Sequence, residues 1–382
     1  MQIPTISYLE KKLVSSKNRF SLNIIQNKEI NRKLNGSNIL IIGAAGSIGS
    51  EFSLKLLKKK FKKIFLLDKD ENELTELNRK INLSNFKKIN KLEYICSDAI
   101  NFPFQKFVKK KDINHIFNFS ALKHVRSEEN ILSVQYMFGV NSISFLNKKF
   151  PKNLKSIFSI STDKVNKPQS MLGISKKLME NVLAEIKSKN QKIHVSSVRF
   201  TNVSFSKGSI LKNIFDKAKE GKAIGLPRYV NRYFITHNEA VTLCLKTLLK
   251  NNNGFIVQPS PNNIGKNLSI YNLSLKILKL LNLNPVRKKF FLKANEIQII
   301  PQSSISQGQK LTEDLSSDNE IYLGIKNDKS IIKTKFLRLR NLSQILRELK
   351  VINSRAKIVR IAKKIYKYYN FDNSRSKISY TI

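Results

Sequence analysis

Between residues 38 and 200 the chain alternates short apolar runs with amphipathic stretches. "NILII" (38–42) and "KIFLLD" (63–68) are apolar enough to be strands buried on both faces. "KLEYICSD" (91–98), "NHIFNFS" (114–120), "LKSIFSIST" (154–162) and "KIHVSSVRF" (192–200) read the same way. Helical spacing appears between them, over roughly 48–60, 71–82, 134–150 and 175–189. Regular strand–helix alternation predicts an α/β fold, a Rossmann-like doubly wound parallel sheet. After residue 200 the pattern loosens, with a helix near 209–220 and a proline-containing loop at 226–228. The predicted organisation is a helical lead-in (1–36), an NAD(P)-binding domain (37–205), a smaller substrate-binding lobe interleaved with it (206–330), and a basic helical tail (331–382).

Of the 382 residues, 41% are apolar, enough for a large core. No apolar run is long enough for a membrane span, and the N-terminus is too polar for a signal peptide. Cys96 and Cys244 fit neither a disulfide framework nor a metal knuckle, so a reducing cytoplasm and no metal are expected. The net charge of +43 invites a nucleic-acid reading. The lysines are scattered along the chain rather than gathered in one stripe, and the richness in Lys, Asn and Ile matches codon drift in an AT-biased genome. No specific nucleic-acid partner is therefore expected.

"GAAGSIG" places Gly43, Gly46 and Gly49 between a strand and a helix, with Ser47 and Ile48 opening the helix. Such a turn lets a pyrophosphate approach the backbone at a helix N-terminus. Asp68 ends the second strand, where a carboxylate accepts bonds from adenosine ribose hydroxyls and repels a 2′-phosphate. This favours NAD over NADP, although Lys69 follows directly. Asp98, with Ala99 beside it, is placed to meet the adenine, and reads equally well as a helix cap. Ser120 and Ala121 are small enough for a cofactor to lie against the fourth strand's end, where Lys123 and His124 follow.

The fifth strand closes on Thr162, Asp163 and Lys164, a hydroxyl, a carboxyl and an amine in succession. Burial and mutual charge can tune such a set for acid–base work. Lys176 follows on the next helix, where it can hold nicotinamide-ribose hydroxyls. With these segments the chain resembles the extended short-chain dehydrogenase/reductase superfamily, and within it the nucleotide-sugar 4,6-dehydratases of polysaccharide biosynthesis. The resemblance rests on "GAAGSIGSE", "SALKHVRSEENI", "STDKVNKPQSMLGISKK", "VRFTNVSFSKGS", "NRYFITHNEAV" and "GQKLTEDL", spanning roughly 39–315. Leu172 stands where the superfamily carries a tyrosine, and Gln309 where the family reads glutamate.

The resemblance implies an enzyme that binds NAD tightly, acts on UDP-N-acetylglucosamine or a similar nucleotide sugar, and forms a homo-oligomer. It implies that Thr162 handles the C4 hydroxyl, Lys164 takes the C5 proton and Asp163 protonates the departing C6 hydroxyl. A subgroup lacking the tyrosine makes these roles compatible with Leu172 and implies retention at C5. Substrate contacts are implied for Lys123, His124, Asn202, Ser209, Arg232 and, at the nucleoside ribose, Glu313, with Lys310 near phosphate. A nucleotide-sugar 4-epimerase is the alternative; a catalytically silent NAD- or RNA-binding protein is a more distant one.

Overall fold

The computed structural model describes residues 3–84, 86, 89–123, 128–143, 150–287, 292–302, 310–318, 320–326 and 328–369. Two helices, α1 (Ile6–Leu13) and α2 (Ile24–Leu34), precede β1 (Asn38–Ile42), α3 (Ser47–Leu57) and β2 (Lys63–Asp68). Next come α4 (Glu71–Leu83), β3 (Leu92–Cys96), α5 (Phe104–Lys110) and β4 (His115–Asn118). Then α6 (Ile131–Phe138), β5 (Ser156–Thr162), α7 (Met171–Lys189) and β6 (His194–Phe200) complete the alternation. The lobe adds β7 (Asn202–Val203), α8 (Ile210–Lys219), β8 (Ile224–Pro227), β9 (Asn231–Arg232) and β10 (Phe234–Ile235). It continues through α9 (His237–Lys246), β11 (Phe255–Pro259), β12 (Leu268–Ser269) and α10 (Ile270–Leu280). The last described elements are β13 (Asn284–Val286), β14 (Glu296–Gln302), β15 (Tyr322–Gly324), β16 (Ile331–Lys335), α11 (Leu342–Lys350) and α12 (Arg355–Ile365).

The central sheet has the order β15-β16-β11-β6-β5-β4-β1-β2-β3. From β3 to β11 neighbours run parallel, and β16 and β15 close the other edge antiparallel. The order 3-2-1-4-5-6 reverses between β1 and β4, the crevice where such sheets bind nucleotides. Successive side chains of β1 enter opposite layers. Leu40 and Ile42 join a core with α7, α11 and α12, while Ile39 and Ile41 join one with α2, α3 and α9. A third core holds the lobe together around α1, α8 and α10.

The first and last described segments are more deeply built in than their polarity suggests. Leu9 of α1 is buried in the lobe core. Arg19 ties the segment after α1 to Glu239 of α9 through Nε (2.7 Å) and Nη2 (2.8 Å). Residues 331–335, expected within a helical tail, form β16 instead, with Ile331 buried against the β11 side of the sheet. The helices α11 and α12 bury Leu342, Ile345, Leu346, Leu349, Ile358 and Ile361 over α6 and α7. Each such aliphatic side chain contributes about 1.5–3 kcal/mol of burial.

Candidate active site

The turn after β1 meets the end of β4 at van der Waals range. Gly43 adopts φ +72°, and a Cβ there would lie 2.6 Å from Ser120 N. At Gly49 a Cβ would lie 2.0 Å from the Gly43 carbonyl, so α3 can start only against glycine. Gly46 is the N-cap of α3, and no side chain caps the helix there. Its first N–H groups thus face the crevice edge as anion donors. Ser47, on α3's first turn, accepts a bond from Lys207 N (2.8 Å), and Ile48 packs partly buried against the core.

Asp68 buttresses this turn: its Oδ2 accepts from Ala45 N (2.9 Å) and its Oδ1 from Asp70 N (3.2 Å). Asp98 caps a turn rather than a helix, accepting from Ile100 N (2.8 Å) and from the Tyr136 phenol. Burial and Asp98 push that phenol up to about 12. Lys69 lies over the Tyr136 ring, 5.5 Å from its centre. Sequence reasoning missed Tyr136, whose contacts to 69 and 98 arise only from the fold. Ala99 packs partly buried on the α7-side core. Ser120 donates through its N (3.0 Å) to Asn118 Oδ1, Ala121 is exposed, and Lys123 Nζ reaches Ser206 Oγ at 3.4 Å. His124 lies outside the described residues.

At the tip of β5, Thr162 Oγ1 donates to Asp163 Oδ1 (2.9 Å). Lys164 Nζ lies 3.2 Å from the same Asp163 oxygen and 3.3 Å from Glu313 Oε1. Asp163 is 4% exposed. Burial and the Glu313 charge raise its pKa above the usual carboxyl range, against the pull of Lys164 and Thr162. Burial alone would lower Lys164, but Asp163 and Glu313 outweigh it and hold the ammonium above its ordinary value. The ligand-free site therefore keeps Lys164 charged, so the neutral amine expected of a base is not its resting state.

Lys176, 3% exposed, sits on α7 with Nζ unbonded among the described residues. Burial pushes it down to about 7, against the pull of Glu180. Asp163 Oδ2 is likewise buried with no hydrogen-bond partner among the described residues. An orphaned ammonium, an uncapped helix start and a glycine-lined crevice fit a dinucleotide cofactor. Leu172 is buried in the α7-side core. Its N–H and that of Met171 donate to the Glu128 carboxylate, each at 2.9 Å.

The remaining predicted residues are spread over the lobe. Glu313 meets Lys164 and, at 3.6 Å, Arg232 Nε. Arg232 is committed to the 310–311 backbone, through Nη2 to Lys310 O (2.7 Å) and Nη1 to Leu311 O (3.0 Å). Lys310 Nζ donates to Asn166 O at 2.9 Å. Asn202 Nδ2 donates to Tyr233 O (3.3 Å), and Ser209 caps α8 through Lys212 N (3.3 Å). Arg199 is buried in an ion-pair cluster with Glu180 (2.6 Å) and Glu320 (2.5 Å), away from any solvent-facing role.

The family model described as "Polysaccharide biosynthesis protein" matches residues 39–335. The chain belongs to this polysaccharide biosynthesis protein family. It is 26% identical over 305 residues to the capsular polysaccharide biosynthesis protein CapD of Staphylococcus aureus, covering 77% of this chain and 47% of that protein. It thus spans about half the length of that relative. It is also 26% identical over 232 residues to a UDP-N-acetylglucosamine 4,6-dehydratase (inverting) of Campylobacter jejuni, covering 59% and 67% of the two chains. In fold it resembles the dTDP-glucose 4,6-dehydratase DesIV of Streptomyces venezuelae, with TM-score 0.52, 15% identity and 87% and 97% coverage. The relatives and fold neighbours of this family member thus include nucleotide-sugar dehydratases and epimerases.

Proposed function

We propose that the chain is an NAD-dependent nucleotide-sugar 4,6-dehydratase acting on UDP-N-acetylglucosamine. The observation that carries this reading is the Thr162–Asp163–Lys164–Glu313 cluster, in which both carboxylates are buried and Asp163 Oδ2 is unpartnered among the described residues. NAD, when bound, supplies a hydride acceptor for C4 of the sugar and a hydride donor for C6. Lys176 would hold the nicotinamide ribose, the 43–49 turn the pyrophosphate, and Asp68 the adenosine ribose.

Proton traffic falls to the β5 tip. Thr162 hydrogen-bonds the C4 oxygen, and the C4 hydroxyl's proton leaves past it to solvent. Transfer of one proton from Lys164 to Asp163 then makes a neutral amine and a neutral acid. Burial favours this exchange because it removes two charges at once. The exchange leaves the cluster's net charge unchanged, with Arg232 Nε 3.6 Å from Glu313 beside it. Lys164 then takes the C5 proton, and Asp163 gives its proton to the C6 hydroxyl, which leaves as water. Leu172 takes no part; the phenol it replaces is not needed.

The cationic resting state of Lys164 favours one second reading, 4-epimerisation, which requires no base at C5. Incubation with UDP-N-acetylglucosamine in deuterated water separates the two. Dehydration yields a product lighter by one water with deuterium at C5. An isomer of unchanged mass, free of carbon-bound deuterium, would replace the dehydratase by the epimerase.

A further inference from the structure

The helices α11 and α12 lie beyond the residues matched by the family model. Their apolar sides are spent on α6 and α7, which leaves their outer sides to solvent. Every basic residue from Lys335 to Lys367 is exposed. Glu348 is the only carboxylate in that stretch, and Lys364 neutralises it at 2.7 Å. Over the whole chain 70 basic residues are set against 27 acidic ones, so this face, with its single carboxylate, departs from the general surplus of charge. On α12, Lys357, Arg360, Lys363 and Lys364 follow helical spacing and form one stripe.

Apolar groups stand beside this charge. Gln135 Nε2 of α6 donates to Lys350 O at 3.1 Å, joining the end of α11 to α6. Leu132, one turn before Gln135, is 68% exposed, and Val351, next to Lys350, is 70% exposed. Two bare aliphatic side chains at a seam framed by Arg347 and Lys350 suit the boundary between headgroups and acyl chains. They offer nothing to a nucleic acid, which would be met by polar or aromatic groups.

We infer that the outer face of α11 and α12 docks the protein on an anionic lipid surface, with Leu132 and Val351 entering the interface. A peripheral contact of this kind needs no membrane-spanning helix. It would bring the nucleotide-sugar crevice to the membrane without using any group of the β5 tip.

The test is co-sedimentation of the full chain with phosphatidylglycerol-rich vesicles and with pure phosphatidylcholine vesicles. Binding is expected to the former alone, and to weaken as salt shortens the screening length from about 10 Å at 0.1 M to about 3 Å at 1 M. The triple variant Lys357→Glu, Arg360→Glu, Lys363→Glu should bind at least about tenfold more weakly. The variant Lys58→Glu, Lys60→Glu, Lys62→Glu makes the same change of net charge at exposed positions after α3, whose helix packs on the other side of the sheet. It should bind as the parent does. Leu132→Ser with Val351→Ser should lose a few-fold at unchanged salt dependence. Equal losses from both lysine-face variants would overturn the proposal, since charge alone would then explain the binding. So would indifference to both vesicles, including a chain that retains a duplex oligonucleotide instead. Melting curves for each variant confirm that the fold is intact, because all the replaced side chains are solvent-facing.

Discussion

Lys176 is held at a cost that proton loss or a ligand relieves. Its ammonium is buried and unpartnered among the described residues, and its pKa falls from 10.5 to about 7. Between those values the unfolded chain binds more protons, so folding stability rises with pH across that window. Lys176→Met should therefore raise the melting temperature of the NAD-free protein, more at pH 6.5 (~1–4 kcal/mol) than near pH 10. The same variant should lose NAD affinity by calorimetry, because the group that would meet the ribose is gone. Glu313 offers a sharper pH test. Its charge helps raise Lys164, so Glu313→Gln should lower that pKa and move the acid limb of the turnover profile to lower pH. A raised KM with an unmoved profile would assign Glu313 to the substrate ribose instead. The glycine turn and the Thr162–Asp163–Lys164 run were legible in the sequence because their geometry is local. Glu313 was placed by likeness at a ribose, because nothing local signals that residue 313 meets residue 164.

At the scale of elements, α7 decides where the site sits. Periodicity places its start near 175; the helix begins at Met171. Two carboxylate bonds from Glu128 make the earlier start possible by satisfying N–H groups that Ser170 alone does not reach. That partner comes from more than forty residues upstream, out of reach of any window. Glu128→Ala should cost about 1–2 kcal/mol and weaken NAD binding through a frayed α7, whereas Glu128→Gln keeps one acceptor and should fall between. Burial raises Glu128 to about 7, so its folded form holds a proton that the unfolded carboxyl releases from its ordinary 4.5 upward. Its contribution to stability is thus fullest below pH 4.5 and is lost as pH rises through about 7. Thermal melts of the Gln variant should lack this component.

Across the whole molecule, one buried cluster ties the sheet, α7 and the 310–322 segment together. Arg199 pairs with Glu180 and Glu320, and Lys177 also pairs with Glu320. Arg199→Met leaves buried carboxylates uncompensated and should destabilise by about 3–5 kcal/mol, seen as an early, cooperative melt. The order of sheet and helix was readable from alternation alone. The placing of α11 and α12 was not: spacing at 342, 345, 346 and 349 marks an apolar side, but only the fold says that α6 and α7 receive it. In the proposed chemistry Asp163 and Lys164 exchange protons with the sugar. The decisive measurement adds UDP-N-acetylglucosamine to NAD-loaded protein carrying Asp163→Asn and Lys164→Met. The prediction is a rise in reduced-nicotinamide absorbance with no release of dehydrated sugar, whereas turnover at the parent rate would contradict it.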